Sequence, residues 1–282
     1  MQAGRIEVRS SSSRGRGFSG SDGSRLTLLT AVDASAFDLI PEDDRGAAVL
    51  CVHGLTGTPY EIRPIAEVLA SRGFRARGPL LPGHGTRVEE LMETTWQQWF
   101  ESIQGEYERL RADSDQVFVA GISLGGLLSL ELAAHNEVEG LLAIGTPLSL
   151  RAPIPQLVGV VKHVFKMLEK TRGSDIQDPE ARERHPGYKH MPLAGVHELV
   201  RLQRRVRQDL PSIHAPALIA HGRLDKTAAP KDATRIFEAL GSEDKELLYL
   251  ERSGHVVPVD RDGPELAGRA ADFFDYLTQS GS

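Results

Sequence analysis

Val117-Phe118-Val119-Ala120-Gly121-Ile122-Ser123-Leu124-Gly125-Gly126 is the stretch on which the architecture turns. Its first four residues form a continuous apolar run, which suits a strand buried on both faces of a parallel sheet. Gly121 to Gly125 then has the form G-x-S-x-G, and a helical pattern begins near Leu124. A serine at the tip of so sharp a strand-to-helix turn sits in a strained conformation. Flanking glycines remove the side chains that would collide there, and Gly126 lets the following helix pack closely. The five-residue pattern is weak evidence by itself. A strand before it and a helix after it give the setting of a nucleophile elbow, with Ser123 as the candidate nucleophile.

Outward from this turn, the same rhythm repeats. Ala47 to Val52 is a second apolar run, ending in His53-Gly54-Leu55-Thr56-Gly57-Thr58-Pro59. Glu61 to Ser71 has Ile62, Ile65, Ala66 and Leu69 at helical spacing, and Gly73 to Leu81 reads as a strand. Trp96 to Leu110 carries an apolar helical stripe, Leu124 to Ala134 reads as the helix after the elbow, and Gly140 to Ile144 reads as a strand. Far downstream come a strand at Ala217 to Ala220, a helix at Lys231 to Leu240, a strand at Glu246 to Leu250 and a helix at Pro264 to Leu277. Alternating strands and helices predict an α/β fold with a mostly parallel sheet and helices on both faces. Leu26 to Ile40 holds short apolar patches suited to edge strands or a hairpin. The core is therefore expected over 25–147 and 216–282. The interval 148–215 breaks the rhythm, with Pro153 and Pro155, an apolar stripe through Leu157, Val161, Val164, Phe165 and Leu168, a polar stretch from Lys170 to His190, and an amphipathic segment from Leu193 to Leu210. It carries no strand signal. Such an insertion predicts a small helical cap over the carboxyl edge of the sheet, where ligands bind in open α/β folds; ordinary crossover helices are the alternative, which the length of the interval disfavours.

Composition narrows the class. A chain of 282 residues, 40% hydrophobic and 26% charged, can bury one large α/β core without staples. A net charge of −6 with both signs interspersed gives no reason to expect nucleic acid as a partner. No run approaches the roughly 18 apolar residues of an integral membrane segment. Cys51 is the single cysteine and sits in an apolar run, so it reads as packing and not as a disulfide partner or reactive thiol. Residues 1–24 are rich in Ser, Arg and Gly and lack the apolar core of a secretory signal. They are expected to form a disordered tail, with a transit peptide or electrostatic anchor as alternatives, and a cytoplasmic location follows by default. Without a Gly-Lys-Ser/Thr loop, an HExxH helix or a Cys/His cluster, neither a metal nor a cofactor is expected.

A serine nucleophile needs a general base and an acid to orient it, in the chain order Ser, Asp or Glu, His on this kind of sheet. Asp225 lies just past the strand Ala217 to Ala220, and His255 just past the strand that ends at Leu250. Both therefore fall on loops at the strand ends that carry Ser123. Asp232 and Asp260 are rivals for the acid, but Asp232 sits in a helix start and Asp260 follows the histidine. His53, His84 and His221 stand beside glycines at strand ends and are expected to line the pocket or satisfy local hydrogen bonds. A tetrahedral intermediate also needs backbone donors for its oxyanion. The amide of Leu124 is one candidate; the amide of Leu55, in a loop that Gly54 and Gly57 let approach closely, is the other.

With these residues placed, the chain resembles the small bacterial carboxylesterases and monoacylglycerol lipases of the α/β-hydrolase superfamily. The resemblance rests on His53-Gly54-Leu55-Thr56-Gly57, Leu81-Pro82-Gly83-His84-Gly85-Thr86, Gly121-Ile122-Ser123-Leu124-Gly125-Gly126, Ser253-Gly254-His255-Val256 and the cap stretch Met191 to Leu199. It runs from about Ala47 to Leu277. It implies the α/β-hydrolase fold with a small mobile cap, a Ser123–Asp225–His255 triad and an oxyanion hole from the Leu55 and Leu124 amides. The implied substrate is a small acyl ester of short to medium chain, or a monoacylglycerol. Relatives often follow the acid with a histidine and a valine; here Lys226-Thr227 stands instead. Thioester or carbon–carbon bond hydrolysis and acyl transfer are alternatives on the same fold. A non-catalytic binding module is a further alternative that the intact triad opposes.

Overall fold

The computed structural model describes residues 32–150, 152–170 and 173–280. The expected tail over 1–24, and the start of the Leu26 to Ile40 segment, lie outside the described residues. The chain runs through β1 (Phe37–Leu39), β2 (Ala47–Val52), α1 (Arg63–Ser71), β3 (Phe74–Gly78), α2 (Val88–Glu93), α3 (Trp96–Asp113), β4 (Gln116–Ile122), α4 (Leu124–His135) and β5 (Leu141–Ile144). It continues with α5 (Ile154–Val161), β6 (Met167–Glu169), α6 (Pro179–Arg184), β7 (His190–Pro192) and α7 (Leu193–Asp209), then β8 (Ala217–Gly222), α8 (Lys231–Ala239), β9 (Lys245–Leu250) and α9 (Gly263–Ser280).

Seven strands form one sheet in the order β1-β3-β2-β4-β5-β8-β9. Only β1 runs antiparallel, as an edge strand on β3; the other pairings are parallel. All six residues of β2 and six of the seven of β4 are buried, which is why both read as unbroken apolar runs. Apolar side chains leave the sheet on both faces. On one face Ile65, Leu69 and Phe274, from α1 and α9, meet Phe74 and Phe118 of the sheet. Phe118 and Phe274 stack with ring centroids 4.7 Å apart. On the other face α3, α4 and α8 pack through Trp99, Leu128 and Ile236. Helix α3 starts where Thr95 accepts from the Gln98 amide and the Gln98 side chain accepts from the Thr95 amide, a reciprocal cap. Helix α4 is buried continuously from Leu124 to Ala133 and has no polar face, because neighbours enclose it.

The insertion holds α5 and α7 in its two apolar stretches, but α5 ends at Val161 and leaves Val164, Phe165 and Leu168 of the expected stripe outside it; α6, in the polar stretch, and one further feature are not announced by the sequence. β6 and β7 pair antiparallel, with Met167 opposite Pro192 and Glu169 opposite His190. Three residues are too few to show an alternating pattern, and β7 lies at the end of a polar stretch, so no strand signal arises. Helix α7 serves two cores. Leu199, Leu202 and Val206 join the core around α4, while Leu193, Val196 and Val200 pack on Val158 of α5. The insertion is thus seated on α4, the helix that follows Ser123.

Because the strands are parallel, their carboxyl ends share one edge of the sheet. Val52, Ile122, Gly222 and Leu250 end β2, β4, β8 and β9 there. The four loops that follow carry Leu55, Ser123, Asp225 and His255.

Candidate active site

Ser123 caps α4 with φ +56° and ψ −113°, a conformation that an L-residue avoids. Such a residue costs on the order of 1–3 kcal/mol, and persists only where its surroundings over-determine it. Here they do. The Ser123 amide donates to the Ile144 carbonyl at 2.8 Å. A Cβ on Gly125 would stand 2.1 Å from the Val52 carbonyl oxygen, and one on Gly126 would stand 2.0 Å from Thr146 Oγ1. Those two glycines let α4 press against the ends of β2 and β5. The Leu124 amide opens the first turn of α4, where N–H groups have no partner within the helix.

Asp225 and His255, thirty residues apart in sequence, are brought together. His255 Nδ1 donates to Asp225 Oδ2 at 2.8 Å, which fixes the tautomer and leaves Nε2 as the nitrogen able to accept a proton. The other carboxylate oxygen of Asp225 accepts from the Thr227 and Ala228 amides, each at 2.8 Å. Burial alone would raise the Asp225 carboxyl, but the charge and hydrogen bond of His255, with His221 close beside it, outweigh it and hold the acid ionised. Burial alone would likewise lower the His255 imidazole. The charge and hydrogen bond of Asp225 win, with Asp175 and Glu61 adding, so His255 holds its proton above the ordinary histidine value.

Ser123, His255 and Leu55 line one cavity of about 800 Å³, with residues of α5, β7 and α7 also lining it. Val158, Val161, Met191 and Val196 give it an apolar wall. Asp225 stands behind His255 and is buried. The rival acids have other partners. Asp232 accepts from the Ser149 amide, and Asp260 accepts from the Gln177, Asp178 and Gly254 amides. Neither touches the His255 ring.

Of the remaining histidines at the strand ends, His53 and His84 make local hydrogen bonds and His221 does not. His53 Nδ1 donates to the Gly54 carbonyl at 2.9 Å and Nε2 accepts from the Leu81 amide at 3.1 Å; burial lowers its affinity for a second proton. His84 Nδ1 donates to the Pro82 carbonyl, and burial, with His53 alongside, pushes its pKa down to about 3. His221 Nε2 lies 2.9 Å from Asp225 Oδ2, close enough for electrostatic attraction but off the line of a hydrogen bond.

Two contributors carry no local sequence signal. Asp175, in the insertion, accepts from the His255 amide through its backbone oxygen at 2.8 Å. Its carboxylate accepts from the Lys226 and Thr227 amides at 2.6 and 3.2 Å. The pair that departs from the expected histidine and valine is thus held through its backbone. Glu61, in the turn after the Gly54–Gly57 loop, is buried and accepts from the Gly54 amide at 2.9 Å. Neither residue is spaced in a recognisable way from Ser123, Asp225 or His255.

The model of the Hydrolase_4 family, described as serine aminopeptidase, S33, matches residues 43–262. The chain belongs to this family. It is 35% identical over 227 residues to the thermostable monoacylglycerol lipase of Bacillus sp. (strain H-257), covering 80% of this chain and 89% of that one. It is 28% identical over 233 residues to a carboxylesterase of Bacillus subtilis (strain 168), covering 82% and 93%. Among solved structures, one from the metagenome-derived lipolytic enzymes LipS and LipT superposes with a TM-score of 0.80 at 27% identity, over 87% of this chain and 98% of that one. A monoacylglycerol lipase of Paleococcus ferrophilus, 20% identical with a TM-score of 0.72 over 87% and 99% of the two chains, shares the fold. The Hydrolase_4 chain therefore has the α/β-hydrolase fold that the elbow predicts. No described helix is long and apolar enough to cross a membrane.

Proposed function

We propose that this protein is a serine hydrolase of carboxylic esters that works through an acyl-enzyme on Ser123. The observation that carries the proposal is the His255–Asp225 pair at 2.8 Å, opening on the same cavity as a serine strained into an elbow. His255 Nε2 takes the proton from Ser123 Oγ as the oxygen attacks the ester carbonyl. Asp225, kept ionised, stabilises the resulting imidazolium. The carbonyl oxygen becomes an oxyanion and accepts from the Leu55 and Leu124 amides; one such donor is worth roughly 10²–10³ in rate. The intermediate collapses, the C–O bond to the alcohol breaks, and His255 returns the proton to the leaving oxygen. Water, deprotonated by the same nitrogen, then attacks the acyl-enzyme and releases the acid.

The apolar wall of Val158, Val161, Met191 and Val196 suits an acyl chain. Short- to medium-chain acyl esters and monoacylglycerols are the proposed substrates, supported by the lipase and esterase named among the relatives. The test is turnover of a p-nitrophenyl acyl ester series by wild type and Ser123→Ala, with acyl thioesters and an aminoacyl anilide run beside it. Loss of ester turnover by at least about 10⁴-fold in Ser123→Ala is expected. Turnover of thioester or anilide with none of oxygen ester would move the chemistry to another acyl group. Activity that survives in Ser123→Ala would remove the nucleophile.

A further inference from the structure

A buried carboxylate lies beneath the proposed oxyanion loop, and the ester mechanism leaves it without a task. Glu61 is 5% exposed. Its Oε2 accepts from the Gly54 amide, and the loop wraps it so closely that a Cβ on Gly57 would stand 2.2 Å from Oε1. That Oε1 meets His185 Nε2 at 2.9 Å, across 124 residues of sequence. His185 Nδ1 lies 2.8 Å from Ser174 Oγ and 3.3 Å from the Gly187 amide. An amide can only donate, so Nδ1 accepts and the ring proton sits on Nε2, aimed at Glu61. The same part of the insertion grips the loop twice more. The Tyr188 amide donates to the Thr56 carbonyl at 2.8 Å, and Lys170 Nζ donates to Thr56 Oγ1. Thr56 itself has φ +66°, a second strained non-glycine residue. All these anchors fall on Gly54 and Thr56, the two neighbours of Leu55.

Charge makes the arrangement harder to dismiss as packing. Burial pushes the Glu61 carboxyl up, yet His185, His53 and the Gly54 amide together bring it down to about 2, so it is ionised at neutral pH. A negative charge beside a developing oxyanion opposes it, and in a water-poor cavity that opposition is weakly screened. The favourable part of its presence has to be geometric.

We propose that Glu61 and His185 are positioning residues for the oxyanion step: a carboxylate–imidazole strut that runs from the insertion to the Gly54 amide and holds the Leu55 amide toward the tetrahedral intermediate. This rests on the ester-hydrolase mechanism above and adds to it that the cap completes the stabilising site. The oxyanion exists only after Ser123 attacks. A displaced loop therefore weakens the transition state and spares the bound ester, so the effect falls on kcat more than on KM.

The test is steady-state kinetics on one p-nitrophenyl ester for wild type, His185→Leu, His185→Gln and Glu61→Gln, with inhibition by an alkyl boronic acid, which forms a tetrahedral adduct on serine. For His185→Leu, kcat is expected to fall about 10- to 100-fold, the scale of a loop displaced by about an ångström, with KM within about twofold. Boronic acid affinity is expected to fall in step with kcat. His185→Gln keeps a donor near the Nε2 position and is expected to recover most of the loss. Glu61→Gln separates the two physical effects: removing charge alone would raise kcat, whereas weakening the strut lowers it. If His185→Leu does not fold, the isosteric Glu61→Gln carries the decision. Wild-type kcat in His185→Leu, or a faster Glu61→Gln, would overturn the strut while Ser123 dependence stands. A fluorophosphonate adduct on Ser174 in Ser123→Ala would overturn it too, by giving the Ser174–His185–Glu61 chain to nucleophilic chemistry. Full turnover in Ser123→Ala would instead bring down the underlying ester mechanism.

Discussion

His255 has three carboxylates facing it: Asp225 in direct contact, Asp175 through the loop it braces, and Glu61 across the cavity. All favour its protonated form, and a base must be unprotonated to work. The acid limb of kcat/KM is therefore expected above the ordinary histidine value of about 6.5, with activity rising as pH rises through it. Asp175→Asn removes one charge yet keeps an oxygen for the Lys226 and Thr227 amides. Its acid limb should move to lower pH, while a purely structural defect would lower the plateau and leave the limb in place; a pH–rate profile decides. At this scale Ser123, Asp225 and His255 were legible because each must stand just past a strand end, and strand ends can be found in a sequence. Glu61 and Asp175 were not, because their contacts are with backbone amides, which leave no mark in the residue pattern. Glu61 reads as the first residue of a helix, and Asp175 as one more charge between Lys170 and His190.

The elbow depends on how tightly one helix meets the sheet. Gly126→Ala would set a methyl group 2.0 Å from Thr146 Oγ1, and overpacking of that kind costs about 1–3 kcal/mol. Urea denaturation is expected to show that loss, and adding Thr146→Ala should restore part of it by removing the oxygen. Equal midpoints for Gly126→Ala and wild type would mean that α4 shifts freely. Elements with a strong period were readable: β2 and β4 as unbroken apolar runs, α7 from its stripe between Leu193 and Leu210. The short ones were not. β6 and β7 have three residues each, and α2 has one buried side chain, Leu91, to mark its face.

Over the whole described chain, the sheet divides two apolar interiors, and Cys51 sits in the one beneath α1 and α9. Cys51 is fully buried, so solvent does not reach it in the native state, and that burial pushes its thiol up to about 12. Reaction with a thiol-specific disulfide reagent is expected to track global unfolding in denaturant, with a rate in buffer far below that of the unfolded chain. Fast labelling of the native protein would show that the α1–α9 side opens locally. Parallel order, and hence a common edge for the active loops, followed from the alternation of strands and helices. The seating of the insertion did not, since α7 looks like any amphipathic helix until both of its partners are known.

The insertion meets the loop that carries His255 partly through main-chain donors. Asp260 receives the amides of Gln177 and Asp178, and an amide is the same whatever side chain accompanies it. One acidic residue in the scaffold can therefore dock many different insertions. Substitutions along the apolar wall therefore leave this part of the docking unchanged, whereas a transplanted insertion must also bring the Asp175 and His185 side chains that meet the scaffold.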